Sequence, residues 1–182
     1  MYNNETDHSL VAAFRDEKTR ETAFTQLVRK YQERLYWHIR RLVVQHEDTN
    51  DILQNMFIKV WQNLGNFREE ANLYTWLYRI ATNESLNWIE QQKRRSSVPL
   101  ADGESFLSEK LVAQKGFDSN EIEWKLQQAI QALPEKQRVV FSLRYYDEMP
   151  YEQMSHVLET SVGALKASYH HAVKKVEEFL LK

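Results

Sequence analysis

The sequence predicts an all-α protein in which two small helical domains are joined by a linker. Apolar residues recur at spacings of three and four over most of the 182 residues, which is the period of a buried helical face. Only four glycines and three prolines are present, too few for the turns and hairpins of a sheet protein of this length. The periodic signal is weak between residues 93 and 120. We therefore place one domain at 5–92, the linker at 93–120 and the second domain at 121–182.

Composition limits the class of protein. Hydrophobic residues form 42% of the chain and aromatic residues 12%, which is ample for packed cores. The sequence contains no cysteine, which excludes disulfides and thiolate metal sites and fits a reducing cytoplasm. It contains neither a signal peptide nor a stretch able to span a bilayer, so we expect a soluble, cytoplasmic protein.

In the first domain we expect a helix from a cap at Asp48 or Asn50 to about Leu64. Its core face is formed by Ile52, Leu53, Met56, Phe57, Val60 and Leu64. The opposite side carries Asp51, Gln54, Ile58 and Gln62, with Trp61 at the boundary. An apolar residue among acids and amides suits a protein partner, although scattered exposed apolar residues are also normal on soluble proteins.

The segment from Asn66 to Arg95 places aromatic rings beside cations and amides. The rings are Phe67, Tyr74, Trp76, Tyr78 and Trp88, and the polar residues among them are Arg68, Arg79, Asn83, Asn87, Lys93, Arg94 and Arg95. One side of the helical wheel carries Trp76, Arg79, Asn83, Asn87 and Arg94. This side could place its amides and a guanidinium against the edge of a duplex. The rings beside cations in the segment suit single-stranded nucleic acid, because bases stack on rings and arginines follow the backbone. The alternative is that the rings are core, as most aromatic residues of small helical domains are.

The last third of the chain predicts three helices with a very short turn before the final one, which is the spacing of a helix-turn-helix. The first helix begins at Pro134 and the second at Pro150, Glu159 and Thr160 form the turn, and Ser161 is placed to cap the third helix. The inward stripe of the third helix consists of Val162, Leu165, Tyr169, Ala172, Val173, Val176 and Leu180.

The outward stripe of the third helix differs in kind. Gly163 and Ala167 are small enough for a close approach to another surface, and Lys166, His170 and Lys174 offer donors along one line. This arrangement suits a DNA major groove, whereas the alternative is a solvated face whose lysines complement the helix dipole. The formal net charge is −2, so we expect another protein to supply part of the affinity for DNA.

Catalysis and metal binding are not expected. The neighbouring His170 and His171 point about 100 degrees apart on a helix, so they cannot share a metal as an i, i+4 pair would. The sequence has neither a phosphate-cradling glycine loop nor a nucleophile motif. We therefore expect no cofactor, no metal and no small-molecule substrate.

Three motifs in order carry a family resemblance. They are DILQ at 51–54 followed by Phe57 and Trp61, YTWLYRIATN at 74–83, and LPEKQR at 133–138. Together they resemble the extracytoplasmic-function (ECF) sigma factors of bacterial RNA polymerase over nearly the whole chain. The lysines and histidines between Lys166 and Lys175 are similar to members from the Bacteroidetes lineage.

The resemblance implies a region 2 domain at 5–92, a linker that threads toward the polymerase active cleft, and a region 4 domain at 121–182. It implies that core RNA polymerase, through the clamp helices of its largest subunit, binds Asp51, Gln54, Ile58 and Trp61. The promoter −10 element would be captured and melted by Phe67, Arg68, Asn72, Trp76, Arg79, Asn83, Asn87 and Arg94. The −35 element would be bound by Ser161, Gly163, Ala164, Lys166, Ala167, His170 and Lys174. A membrane-anchored anti-sigma factor is a further implied partner.

Some positions depart from the family pattern. Ser155 and Glu159 stand where alanine and glycine are common, and a non-glycine residue at positive φ costs about 1 kcal/mol. Ser168 and His171 stand where arginine is frequent, so promoter contacts are not transferred to them. The rival function is a free-standing regulator, which would need dimer symmetry or a more basic chain to bind alone. Tight, specific duplex binding by the purified protein in a gel shift would favour that rival.

Overall fold

The computed structural model describes residues 4–68, 72–95 and 121–181. The described part of the first domain consists of α1 (Asn4–Arg15), α2 (Arg20–Val43), α3 (His46–Asn63), a short 3-10 turn (Leu64–Asn66) and α4 (Leu73–Arg95). The described part of the second consists of α5 (Glu121–Gln131), α6 (Glu135–Tyr145), α7 (Tyr151–Leu158) and α8 (Val162–Leu180). Within these ranges no strand occurs, which confirms the all-α prediction. Most of the linker predicted at 93–120 lies outside the described residues.

The long helix α2 lies at the centre of the first domain and packs against α1, α3 and α4. The core face predicted for α3 is confirmed, because Ile52, Met56, Val60 and Leu64 are buried while Leu53 and Phe57 are half-buried. No helix in the described ranges is long and apolar enough to cross a membrane.

The cap predicted for α3 is wrong. The helix begins at His46, after an N-cap at Gln45 that makes no side-chain cap hydrogen bond. Asp48 lies inside the first turn, where an acid complements the helix dipole. The Asn50 amide is 3.0 Å from Nε2 of His46, whose Nδ1 is 2.7 Å from the Tyr36 hydroxyl. The helix therefore begins before Asp48 and Asn50, the two residues that resemble a cap, and the His46 side chain contacts both Asn50 and Tyr36 in its first turns.

The C-terminal domain is the predicted helix-turn-helix preceded by α5. The helices α5, α6 and α7 all pack against α8, on the buried stripe formed by Leu165, Ala172 and Val176. Glu159 ends α7 in the left-handed conformation with a φ of 51°, as the short turn requires. The Ser161 hydroxyl accepts a hydrogen bond from the Ala164 amide at 3.3 Å, which confirms Ser161 as the cap of α8.

A buried arginine joins α5 to α6. Arg138 is 1% exposed, and its guanidinium donates to the backbone oxygen of Gln131 at 3.2 Å and to its side-chain Oε1 at 3.0 Å. Burial lowers the pKa of Arg138 to about 10, against a smaller opposing effect of Glu135. Gln131 therefore supplies the acceptors that offset the cost of burying this cation.

Gln131→Leu is expected to lower the free energy of unfolding by about 2 kcal/mol, because a buried charged donor loses its side-chain acceptor. Urea unfolding followed by circular dichroism measures the change. Gln128→Leu is the matched control, since Gln128 is half-buried on the same helix and its side chain is not one of the acceptors of Arg138. Equal stabilities of the two variants would contradict this role of Gln131.

The two domains pack against each other. α4 packs on α7, and α2 packs on α6. Leu77 and Tyr78 of α4 belong to the same buried apolar cluster as Met149 and Met154 of the C-terminal domain. The Gln131 side chain also donates to the backbone oxygen of Arg41 at 2.8 Å. One apolar cluster of the described residues thus crosses the domain boundary. A second lies within the C-terminal domain and consists of Ala129, Ile130, Leu133, Phe141, Ala172 and Val176.

Candidate functional site

The outer face of α3 presents apolar and polar side chains together. Asp51 and Gln54 are exposed, Ile58 is 49% exposed and Trp61 is 39% exposed. Their spacing along the helix places all four on one side. The inner side of the Trp61 ring packs edge-on against Phe14 and Phe24, with centroid distances of 5.2 and 5.0 Å. This anchoring fixes the ring while its outer edge remains open.

The loop before α4 differs from its prediction. Phe67 is 7% exposed and packs its ring 5.0 Å from Trp76, while its backbone oxygen accepts a hydrogen bond from Arg15 at 2.9 Å. In this arrangement the buried Phe67 ring supports the Trp76 ring from the side of the core. It offers no exposed surface on which a base could stack. Arg68 is exposed, and residues 69–71 lie outside the described part of the chain.

Asn72 caps α4. Its Oδ1 accepts hydrogen bonds from the backbone amide of Thr75 at 2.8 Å and from the Thr75 hydroxyl at 2.6 Å. An asparagine directly before a periodic apolar run is a recognised cap signal, so the sequence could have revealed this role. The cap orients the first turn of α4 and therefore the position of Trp76.

The predicted line along α4 is present. Arg79, Asn83, Asn87 and Arg94 are exposed and Trp76 is half-buried. The guanidinium of Arg79 forms an ion pair with Glu159 of the C-terminal domain, and that of Arg94 forms one with Glu90.

The other rings of this segment follow the alternative interpretation. Tyr74 and Tyr78 are each 1% exposed, with ring centroids 4.4 Å apart, and Trp88 is half-buried against the core. They were candidates for base stacking and are instead packing residues, because their side of α4 faces the other helices. Trp76 is the ring of this group that stands beside the exposed polar line.

The outer face of α8 has the predicted composition. Ser161, Gly163, Ala164, Lys166, Ala167, His170 and Lys174 are all exposed. A Cβ added at Gly163 would meet no atom within 4 Å, so packing within the described residues does not demand glycine there. Small residues and donors therefore share one open surface.

One cluster beside α8 was missed from the sequence. Two cations lie near the Tyr151 ring, with the Arg144 guanidinium carbon 5.1 Å and the Lys166 Nζ 5.7 Å from its centroid. Burial raises the pKa of the neighbouring Tyr169, whose ring is 6.5 Å from Tyr151. These residues come from three helices, so helical periodicity cannot bring them together. They extend the positive surface of α8 toward α6 and α7.

Among the described residues, no group of three or more histidine and acidic side chains is placed to hold a metal ion. The rings of His170 and His171 lie 6.0 Å apart with an interplanar angle of 57°.

Comparisons with known families identify both domains. The Sigma-70 region 2 family matches residues 27–95, and the Sigma-70, region 4 family matches residues 123–176. The first match includes α3 and α4, and the second includes the helix-turn-helix.

Similar proteins extend the match over the whole chain. The RNA polymerase sigma-H factor of Pseudomonas aeruginosa is 33% identical and covers 99% of this chain and 96% of its own. The ECF RNA polymerase sigma-E factor of Escherichia coli is 32% identical and covers 94% and 93%.

Two solved structures have the same fold. CnrH in complex with the cytosolic domain of CnrY aligns with a TM-score of 0.71 at 21% identity, covering 96% of this chain and 97% of that one. The sigma factor RpoE in complex with the anti-sigma factor NepR from Bartonella quintana aligns with a TM-score of 0.67 at 22% identity, covering 86% and 96%. The chain belongs to the ECF-type sigma factors of the sigma-70 family, which bind core RNA polymerase and direct promoter-specific initiation of transcription.

Proposed function

We propose that three exposed surfaces divide the work of this sigma factor. The α3 surface, formed by Asp51, Gln54, Ile58 and Trp61, binds core RNA polymerase. The α4 surface binds and melts the −10 element through Arg68, Asn72, Trp76, Arg79, Asn83, Asn87 and Arg94, with Phe67 supporting Trp76. The α8 surface binds the −35 element through Ser161, Gly163, Ala164, Lys166, Ala167, His170 and Lys174.

The observation that best supports this division is that each surface has its own chemistry. The α3 surface combines two large apolar side chains with an acid and an amide, as a protein interface with an apolar centre and a polar rim does. The α4 surface joins a ring to cations and amides, which suits unpaired bases. The α8 surface combines small residues with donors, which suits a duplex groove.

Domain limits, location and partners follow from the same proposal. We extend region 2 over residues 5–92, because α1 packs on α2, and region 4 over residues 121–182, because α5 packs on α8. The protein works in the cytoplasm, where its polymerase is, and has no catalytic chemistry of its own.

RpoE is bound to the anti-sigma factor NepR, and we infer an anti-sigma partner for this chain, which the family resemblance implies is anchored in the membrane. We also infer an origin near the Bacteroidetes members, from the spacing of lysines and histidines in α8.

The division of the −35 contacts is testable. Lys166→Ala and His170→Ala are each expected to cost roughly 1–3 kcal/mol in promoter binding if the lost contact is to a base edge, and to relax the preference at one promoter position. Loss of a phosphate contact would weaken all sequences alike. Transcription by reconstituted holoenzyme from a randomised −35 library distinguishes these two results.

The matched control is Lys125→Ala, which removes an exposed lysine from α5. This variant is expected to keep both the activity and the −35 preference of the parent. An unchanged preference in both Lys166→Ala and His170→Ala would mean that this stripe of α8 is a solvated face.

A further inference from the structure

The C-terminal domain lies on the helix that we assign to the −10 element. α7 packs directly on α4, and Tyr78 of α4 is 1% exposed within the shared apolar core. At the edge of this contact, Arg79 forms its ion pair with Glu159 of the short turn before α8. In this arrangement the C-terminal domain covers the Tyr78 side of α4 and engages Arg79, while the rest of the polar line along α4 stays exposed.

A buried carboxylate joins the two domains. Asp147 lies in the loop between α6 and α7, and its side chain is 6% exposed. One oxygen accepts hydrogen bonds from the Tyr78 hydroxyl at 3.1 Å and from Arg41 at 3.3 Å, and the other is 3.1 Å from Nδ1 of His38. The other ring nitrogen of His38 is 2.9 Å from the Thr82 hydroxyl. Asp147 thereby connects the C-terminal domain to both α2 and α4.

Two further polar contacts join the domains away from Asp147 and Arg79. Nζ of Lys93 is 2.6 Å from a Glu135 carboxylate oxygen, and the Gln131 side chain donates to the backbone oxygen of Arg41 at 2.8 Å.

The contacts of Asp147 and of Arg79 differ in strength. The Arg79 and Glu159 side chains are 46% and 71% exposed, and water screens such a pair. Glu159 also holds an unfavourable left-handed backbone with a φ of 51°. Removal of the Asp147 carboxylate would instead take a polar partner from the buried Tyr78 hydroxyl and from the buried His38 ring, which is costly. Loss of Asp147 is therefore expected to weaken the contact between the domains more than loss of the Arg79–Glu159 ion pair.

We propose that Asp147 is the latch of a closed state, in which the C-terminal domain competes with promoter DNA for α4. The competition, although not the closed state itself, rests on the proposed role of α4 in binding the −10 element. In the open state the C-terminal domain leaves α4, and Arg79 loses Glu159 as its partner. Because DNA binds only the open fraction, the latch lowers the apparent affinity of α4 for DNA by that fraction.

A distance measurement tests the closed state. The chain has no cysteine, so spin labels on Asn63→Cys in α3 and Glu178→Cys in α8 are the sole thiol labels, at two exposed positions. We expect one narrow distance distribution in the full-length parent and a longer, broader one in Asp147→Asn, with unchanged helix content. The control Glu177→Gln removes an exposed carboxylate of α8 and should match the parent. A broad distribution in the parent, or no change in Asp147→Asn and Asp147→Ala, would overturn the latch.

A binding measurement tests the competition. The probe is a fluorescein-labelled single-stranded oligonucleotide of randomised sequence, followed by anisotropy with the unlabelled proteins. Asp147→Asn is expected to bind it roughly tenfold more tightly than the parent or the control Glu177→Gln. If Asp147→Asn is open in the distance measurement but binds the oligonucleotide no more tightly than the parent, the proposed competition with DNA is overturned. A gain that persists when Asn83→Ala is added to Asp147→Asn would show that the −10 assignment of α4 is wrong while the closed state stands.

Discussion

Ile58→Glu is expected to abolish capture of core RNA polymerase while the protein stays folded. Ile58 is half exposed on α3 beside Trp61, so the substitution removes no side chain from the buried core. In the complex, the carboxylate of the substituted glutamate would be desolvated at the position where polymerase covered the apolar Ile58 side chain. Burial of an unpaired charge is strongly unfavourable. Central apolar anchors of protein interfaces typically cost 2 kcal/mol or more on loss, so we expect at least about a 30-fold weaker complex.

Pull-down of core polymerase and titration of labelled sigma factor measure this effect. Ile122→Glu is the matched control, because Ile122 is 68% exposed on α5, away from the α3 surface. The control should bind polymerase like the parent, and both variants should keep the circular dichroism of the parent. Normal capture by Ile58→Glu would remove the basis for assigning the α3 surface to polymerase.

Asn83→Ala and Arg79→Ala are expected to lower open-complex formation much more than polymerase binding. Both side chains are exposed on α4, in line with Trp76, whose ring is supported by Phe67. Loss of one stacking or donor contact to an unpaired base costs about 1–3 kcal/mol, so we expect melting to fall roughly tenfold in each variant. Permanganate reactivity of the melted promoter strand, measured with saturating core polymerase, reports the change.

Asn83→Ala is the cleaner of the two variants, because Arg79→Ala also removes the ion pair with Glu159 and so frees α4 from one contact. Gln32→Ala removes an exposed amide from α2 and serves as the control for both. Unchanged permanganate footprints in both variants would mean that melting is performed elsewhere in the chain.

The sequence was most informative for candidate surfaces whose residues all lie on a single helix. The exposed stripe of α8, its Ser161 cap and the turn at Glu159 were all predicted, because helical period and local capping depend on neighbouring residues alone. The outer face of α3 was predictable for the same reason. The start of α3 was not, since Gln45 precedes the helix without a capping side chain and the polar residues after it lie within the first turns.

Contacts between distant residues were beyond the sequence pattern. A helical wheel shows which rings of α4 share a side, but not that a second domain covers Tyr78. The partners of Asp147 on α2 lie more than a hundred positions away in the chain, so no local spacing predicts them. For the same reason, the sequence could identify Phe67, Tyr74 and Tyr78 as rings on which bases could stack. Only the packing of the helices shows that these rings belong to the core.

The apolar core shared by the two domains has a thermodynamic consequence. Because Leu77 and Tyr78 are buried together with Met149 and Met154, unfolding of either domain exposes part of the other. The closed protein should therefore melt in one cooperative calorimetric transition, with equal calorimetric and van't Hoff enthalpies. Once the domains separate, each retains only its own core and melts independently. The number of calorimetric transitions would therefore distinguish the closed state from the open state that we propose binds promoter DNA.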